Sequence, residues 1–171
     1  DLNGGTTGAI SGTSVNIYNL ALNNAASALF TGAVTVNDLI TTANAYTVSL
    51  TGTGNTFVQN VDFLNTGTVT LGNPTTGTFL FNGGMSFTGN AASVVGAAIS
   101  SSGDAINFGT GGVTLIANSS VDTTNAGGSV AGANIVFGAG IAGPTFNLDL
   151  NGGTTGAISG TSVNINNLTL N

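Results

Sequence analysis

Short alternating runs of apolar and polar residues cover most of this chain. The stretch "YTVSL" puts Tyr46, Val48 and Leu50 on one side of an extended backbone and Thr47 and Ser49 on the other, because successive strand side chains point to opposite faces. The same two-residue rhythm pairs Val34 with Val36, Val61 with Phe63, Val69 with Leu71, Phe79 with Phe81 and Met85 with Phe87. It continues in Ile106 and Phe108, Val113 and Leu115, Ile135 and Phe137, and Phe146, Leu148 and Leu150. Gly, Asn, Asp or Thr closes each run, and these residues tolerate tight bends. Asn-Gly at Asn3, Asn82 and Asn151 marks turns. Spacing at 3.6 residues is absent. Many short strands with frequent corners predict an all-β fold.

The chain also repeats itself. Residues 1–23, DLNGGTTGAISGTSVNIYNLALN, return as residues 149–171, DLNGGTTGAISGTSVNINNLTLN, matching at 21 of 23 positions. The chain therefore reads as one unit, residues 1–148, followed by the start of a second, residues 149–171, in the same solenoid. We expect it to be a window of a longer polymer; the alternative is a subunit whose two ends are alike. An indefinitely repeatable all-β architecture is the parallel β-helix, or β-solenoid, in which coil stacks on coil. With coils of roughly 20 residues, the unit should hold roughly seven coils and rise roughly 34 Å. The two differences are Tyr18 against Asn166 and Ala21 against Thr169. They leave the frame Val15, Ile17, Leu20, Leu22 unchanged as Val163, Ile165, Leu168, Leu170. Alternation puts that frame on one inner face and the substituted positions outside. Corner asparagines can form stacked amide ladders between coils.

Composition narrows the function. There is no Lys, Arg, His, Cys or Trp, and the six acidic residues are all Asp, so only 4% of the chain is charged. Nucleic-acid binding and docking on anionic lipid both need basic groups. Most acid–base and nucleophilic catalysis needs His, Cys, Lys or Glu. No disulfide can form, trypsin has no site, and no apolar run approaches the roughly 20 residues of a membrane helix. A hydrophobic content of 41% argues against a disordered tail.

The stretches "GGVTLIANSSVDTTNAGGSVAGANIVFGAG" and "DLNGGTTGAISG" resemble the repeats of large bacterial exoproteins of the filamentous-haemagglutinin type. The likeness covers most of the chain and is one of style, carried by "GGVTLIAN", "VAGANIVFG" and "LDLNGG". It implies a right-handed parallel β-helix, secretion across the outer membrane, and adhesion or surface filaments. Members of that family usually keep some Lys and Arg, and this chain has none. A specialised fibre is thus as good an expectation as an adhesin.

Candidate sites are few. Asp1, Asp38, Asp62, Asp104, Asp122 and Asp149 are isolated in sequence, so we expect no catalytic carboxylate pair and no enzyme. Calcium is the one cofactor considered, with Asp38 in "VNDL" and Asp104 in "SSGDAINFG" as its candidate ligands. The calcium-binding pattern G-G-x-G-x-D does not occur, and a plain turn is the simpler reading of both. The Gly-rich stretches lack the Lys of a phosphate loop. Asn118 and Asn167 fit the glycosylation sequon, which arises often in such compositions. Threonines at Thr51 and Thr53, at Thr66, Thr68 and Thr70, and across Thr75–Thr78 suggest an ice-binding array, but their spacing is irregular.

The expected role is structural: a section of a secreted or surface solenoid forming a fibre, sheath or stalk. Its partner would be itself, head-to-tail or as consecutive repeats, because an end coil is an open sheet edge. Val15, Ile17, Leu20, Leu22, Phe146, Leu148, Leu150, Val163 and Ile165 would form the stacking interface. The alternative is an adhesin module holding a glycan or a surface, for which Tyr18 and Tyr46 are the only aromatics with a polar handle.

Overall fold

The computed structural model describes residues 1–75, 77–89 and 92–171. All its regular elements are strands, stacked in parallel as a β-solenoid of about 8 turns, each roughly 21 residues long.

One turn shows how the sequence builds it. Ser27–Phe30 alternates and buries Ala28 and Phe30. The bend Thr31–Gly32 follows, and Val34–Thr41 then crosses two sides of the coil in one strand, with Val34 and Val36 inward before the corner and Leu39 and Thr41 inward after it. Polar residues carry the chain round to Thr47–Leu50, whose Thr47 stands over Ser27, 20 residues back. Each turn thus has three strand-bearing faces. The first runs from Ala9–Gly12 to residues 163–165, the second from residues 15–17 to residues 167–170, and the third from Leu2–Asn3 to Ile158–Gly160. Ser119–Asp122 lies on the second face and Ile135–Phe137 on the third, so the corner between them carries an enlarged loop. That turn takes 29 residues from Ser119 to Leu148, against 19 from Val15 to Val34.

Alternation sends Val, Ile, Leu and Phe into one continuous core. Parallel ladders place like residues over like. Phe63, Phe87, Phe108 and Phe137 stack ring on ring through four successive turns of the third face, with centroids 4.9, 5.7 and 4.8 Å apart. Phe57 and Phe81 stack at 4.8 Å on the second face. Those distances follow the strand spacing of the ladder and fall in the range of offset-stacked rings.

The buried polar groups tie turn to turn. Asn55, 1% exposed, accepts from Val34 N in the turn below and donates to Gly52 O and to Thr78 O in the turn above. The Thr41 hydroxyl donates to Asp62 O and accepts from Leu64 N, linking two turns of the third face where no ladder joins their strands. The expected amide ladders are largely replaced by such bonds from side-chain amide to backbone, as with Asn44 on Asn23 O and Asn73 on Thr51 O. Asn3, Asn107 and Asn151 instead accept from the backbone N two residues on. Asn166 on Asn147, at 2.8 Å, is an amide–amide pair of the expected kind.

Candidate assembly surface

The repeated passage appears at both ends of the solenoid. In both copies the Asn of "NGG" caps its own turn: Asn3 Oδ1 accepts from Gly5 N and Asn151 Oδ1 from Gly153 N. Gly5 and Gly153 share a left-handed backbone, φ 66° and 72°. The local fold is the same, but the faces differ. Ile10 pairs with Ala28 on the first face, whereas its counterpart Ile158 pairs with Ile135 on the third. Val15 pairs with Val34 on the second face, whereas Val163 pairs with Ile141 on the first. From one copy to the other the described chain lays down twenty successive strand segments, three to a turn, which is six and two-thirds turns. This agrees with the expected roughly seven coils per unit and adds the phase: the unit stops one face short of seven full turns.

The first copy is covered from above and the second from below. Leu20 and Leu22 are buried, with Leu20 against Leu39 and Leu22 between Leu2 and Thr41. Val15 is half-buried and Ile17, on the open end, is 48% exposed. At the other end Phe146 and Ile165 are half-buried, Leu148 and Leu150 are buried beneath Leu168 and Leu170, and Val163 is exposed. The frame Val15, Ile17, Leu20, Leu22 does not lie on one face, because a corner falls between Ile17 and Leu20. Ala21, expected outside, is buried beside Ile40, while Tyr18 and Asn166 are exposed as expected. Both ends leave apolar side chains and strand edges bare, notably Leu2, Ile17, Leu168 and Leu170.

The enlarged loop is the seat of the second copy. The buried Thr123 hydroxyl pinches its base, donating to Ala133 O and Asn151 O and accepting from Ala133 N. The Asp122 carboxylate shapes its start, accepting from Thr124 N, Thr124 Oγ1 and Ala126 N. Asn125 and Ala126 are held there with φ 52° and 55°. Thr154 and Thr155 of the second "GGTTG" then donate, from backbone and hydroxyl alike, to Val130 O and Ala131 O. The fit depends on glycine: a Cβ on Gly153 would meet Ala131 O at 2.6 Å, and one on Gly156 would meet Ala133 O at 2.1 Å. In the first copy Gly5 has nothing within 4 Å.

The remaining candidates scatter. Asp38 sits half-buried in Val34–Thr41 and Asp104 is exposed in the turn before Ile106–Asn107, three turns away. Among the described residues no three His, Cys, Asp or Glu side chains come together. Asp62 accepts from the Ser86 and Thr88 hydroxyls, and Asp149 from Asn171 Nδ2. Asn118, the first sequon residue, accepts from Asn147 N. Thr70 lies in an outward row with Leu29, Ser49, Val94, Thr114 and Ala142, which is no threonine array. Thr76, inside the Thr75–Thr78 run, lies outside the described residues. Tyr46 is a core residue, its hydroxyl donating to Leu22 O and accepting from Thr42 N. A cavity of about 350 Å³ opens on the second face beside the loop, lined by Thr56, Thr78, Ser100, Ser120, Asp122 and Asn125 among others. No protein-family model, curated protein or solved structure matches the chain.

Proposed function

We propose that the chain is a structural segment of a secreted or surface solenoid that builds a fibre, sheath or stalk, with coil-on-coil backbone pairing as the load path. The observation that carries this reading is the seating of the second copy. Residues 163–170 pair with Ile141–Asn151 in the same parallel manner as any internal turn, Val163 on Ile141, Leu168 on Leu148 and Leu170 on Leu150. One repeat passes into the next with the core intact, so the architecture has no built-in end. The scarcity of charge, 4% of the chain, suits close stacking of turns, where like charges one strand apart would repel. The likeness to filamentous-haemagglutinin-type exoproteins rests on repeat style and supports an extracellular site of action.

Electron cryo-microscopy of the native material tests this. We expect an axial spacing of about 4.8 Å along continuous rods. Discrete globular particles lacking that spacing would overturn the fibre reading. They would favour the adhesin alternative, for which the cavity beside the loop, with Phe79, Leu80 and Ile99 as well as Thr78 and Ser120 in its lining, is the place a ligand would sit.

A further inference from the structure

We infer that successive 148-residue units are related by a screw that turns one face at each step, and that the loop of each unit is the docking site for the "GGTTG" passage of the unit that follows. The inference rests on the stacking of units proposed above, and it names the surfaces that meet and their angle.

The chain holds its own template for the contact. Residues 149–171 show how the next unit sits, and residues 1–23 are the same passage with that side bare. Splicing the two environments gives the full junction. Ile158 rests on Ile135, and its counterpart Ile10 carries Ala28. Val163 rests on Ile141, and Val15 carries Val34. Leu168 rests on Leu148, and Leu20 carries Leu39. Every one of these columns stays apolar across the junction while changing face.

The glycine of "ISG" explains why the passage tolerates both neighbours. Gly160 pairs with Phe137, and Gly12 pairs with Phe30. A Cβ on Gly12 would come within 3.1 Å of the Phe30 ring, and one on Gly160 within 3.5 Å of Phe137 Cβ. In the junction one glycine separates the two phenylalanines. The "GGTTG" turn is likewise ready-made, with Gly5 already in the left-handed backbone that Gly153 adopts against the loop.

The geometry has a consequence for the whole array. Twenty strand segments at three per turn leave each unit one face out of phase. The rise per unit is about 32 Å at about 4.8 Å per turn, and orientation returns after three units, about 96 Å. Loops would therefore climb the fibre at three successive corners rather than line one side.

The test uses three units in tandem closed by residues 149–171, with Val130→Cys in each unit; Val130 is 65% exposed and the chain has no other thiol. Maleimide-gold should mark a straight rod at three corners in rotation, spaced about 32 Å along the axis. Gold along a single side would overturn the screw while leaving unit stacking intact. Separate beads without a rod would overturn the stacking itself. A second measurement uses the chain as it stands. Val136→Cys with Ser159→Cys should form a disulfide on mild oxidation, because Ser159 stands opposite Val136. Ala142→Cys with Ser159→Cys should not, and the reverse result would overturn the phase shift.

Discussion

Ile10 and Val163 stand at opposite ends of one column of inward side chains, with Ala28, Val48, Val69, Ser93, Val113 and Ile141 between them. The column crosses the solenoid from end to end, and its two terminal residues come from different copies of the repeated passage. With the column through Phe30, Leu50, Leu71, Val95 and Leu115, it is one of two inward columns of the first face. Its single polar member is Ser93, fully buried, whose hydroxyl has no hydrogen-bond partner.

Ser93 is therefore a stability defect. An unpaired buried hydroxyl costs about 1–3 kcal/mol. Ser93→Ala should raise stability by about 1–2 kcal/mol and lift the urea midpoint with an unchanged slope. A lowered midpoint would mean that the hydroxyl makes a bond that Ala cannot, such as to a buried water.

The phenylalanine column should be cooperative. Phe87 lies between Phe63 and Phe108 and is 3% exposed. Phe87→Ala should cost about 3–5 kcal/mol, and Phe87→Leu markedly less. A double-mutant cycle of Phe63→Leu and Phe87→Leu should show a coupling of about 0.5–1.5 kcal/mol. Additivity within error would reduce the stack to plain burial.

Asn55 holds three turns together, and its chemistry is specific. Asn55→Ala leaves Val34 N, Gly52 O and Thr78 O without their partner, at a cost of about 2–4 kcal/mol. Asn55→Asp is the sharper variant. Its carboxylate would be buried facing two carbonyl oxygens, so its pKa in the fold must rise. A raised folded pKa means that stability present at low pH is lost as pH climbs above the carboxylate's unfolded value. Thermal melts of Asn55→Asp should thus fall with rising pH relative to the parent chain. A flat difference between pH 3 and pH 7, values bracketing a free carboxylate, would contradict the geometry.

Most of the strand pattern was legible because period two is a strong signal. Tyr46, Val48 and Leu50, Val61 and Phe63, and Ile135 and Phe137 all face inward as alternation requires. The phase of the repeat was not legible. It depends on how many residues each turn consumes, and that ranges from 19 at Val15 to 29 at Ser119. No residue in "VDTTNAGGSVAGAN" announces a detour, since Thr, Asn and Gly also close the tight corners. The Thr123 hydroxyl, clamped on Ala133, and the Asp122 carboxylate, which accepts from Thr124 and Ala126, separate loop from corner. Ala21 also departs from the expectation: it alternates with the inward Leu20 and Leu22, yet it is 8% exposed beside Ile40, and alternation within one strand reports direction, not burial.

That clamp gives the last prediction. Thr123→Val keeps the shape of the side chain but removes the acceptor for Ala133 N and the donor for Ala133 O and Asn151 O. The base of the loop should loosen by about 1–3 kcal/mol. Val130 O and Ala131 O would then no longer be aimed at Thr154 and Thr155. Amide exchange at Thr154 and Thr155 should accelerate about tenfold for each 1.4 kcal/mol lost, while Phe57 and Phe81 in the ladder stay protected. Local acceleration of that kind means that the loop opens as its own unit and that the seat for the repeated passage is adjustable. Uniform acceleration through the chain would instead make Thr123 part of the global core, and the loop would have no independent role in receiving the next unit.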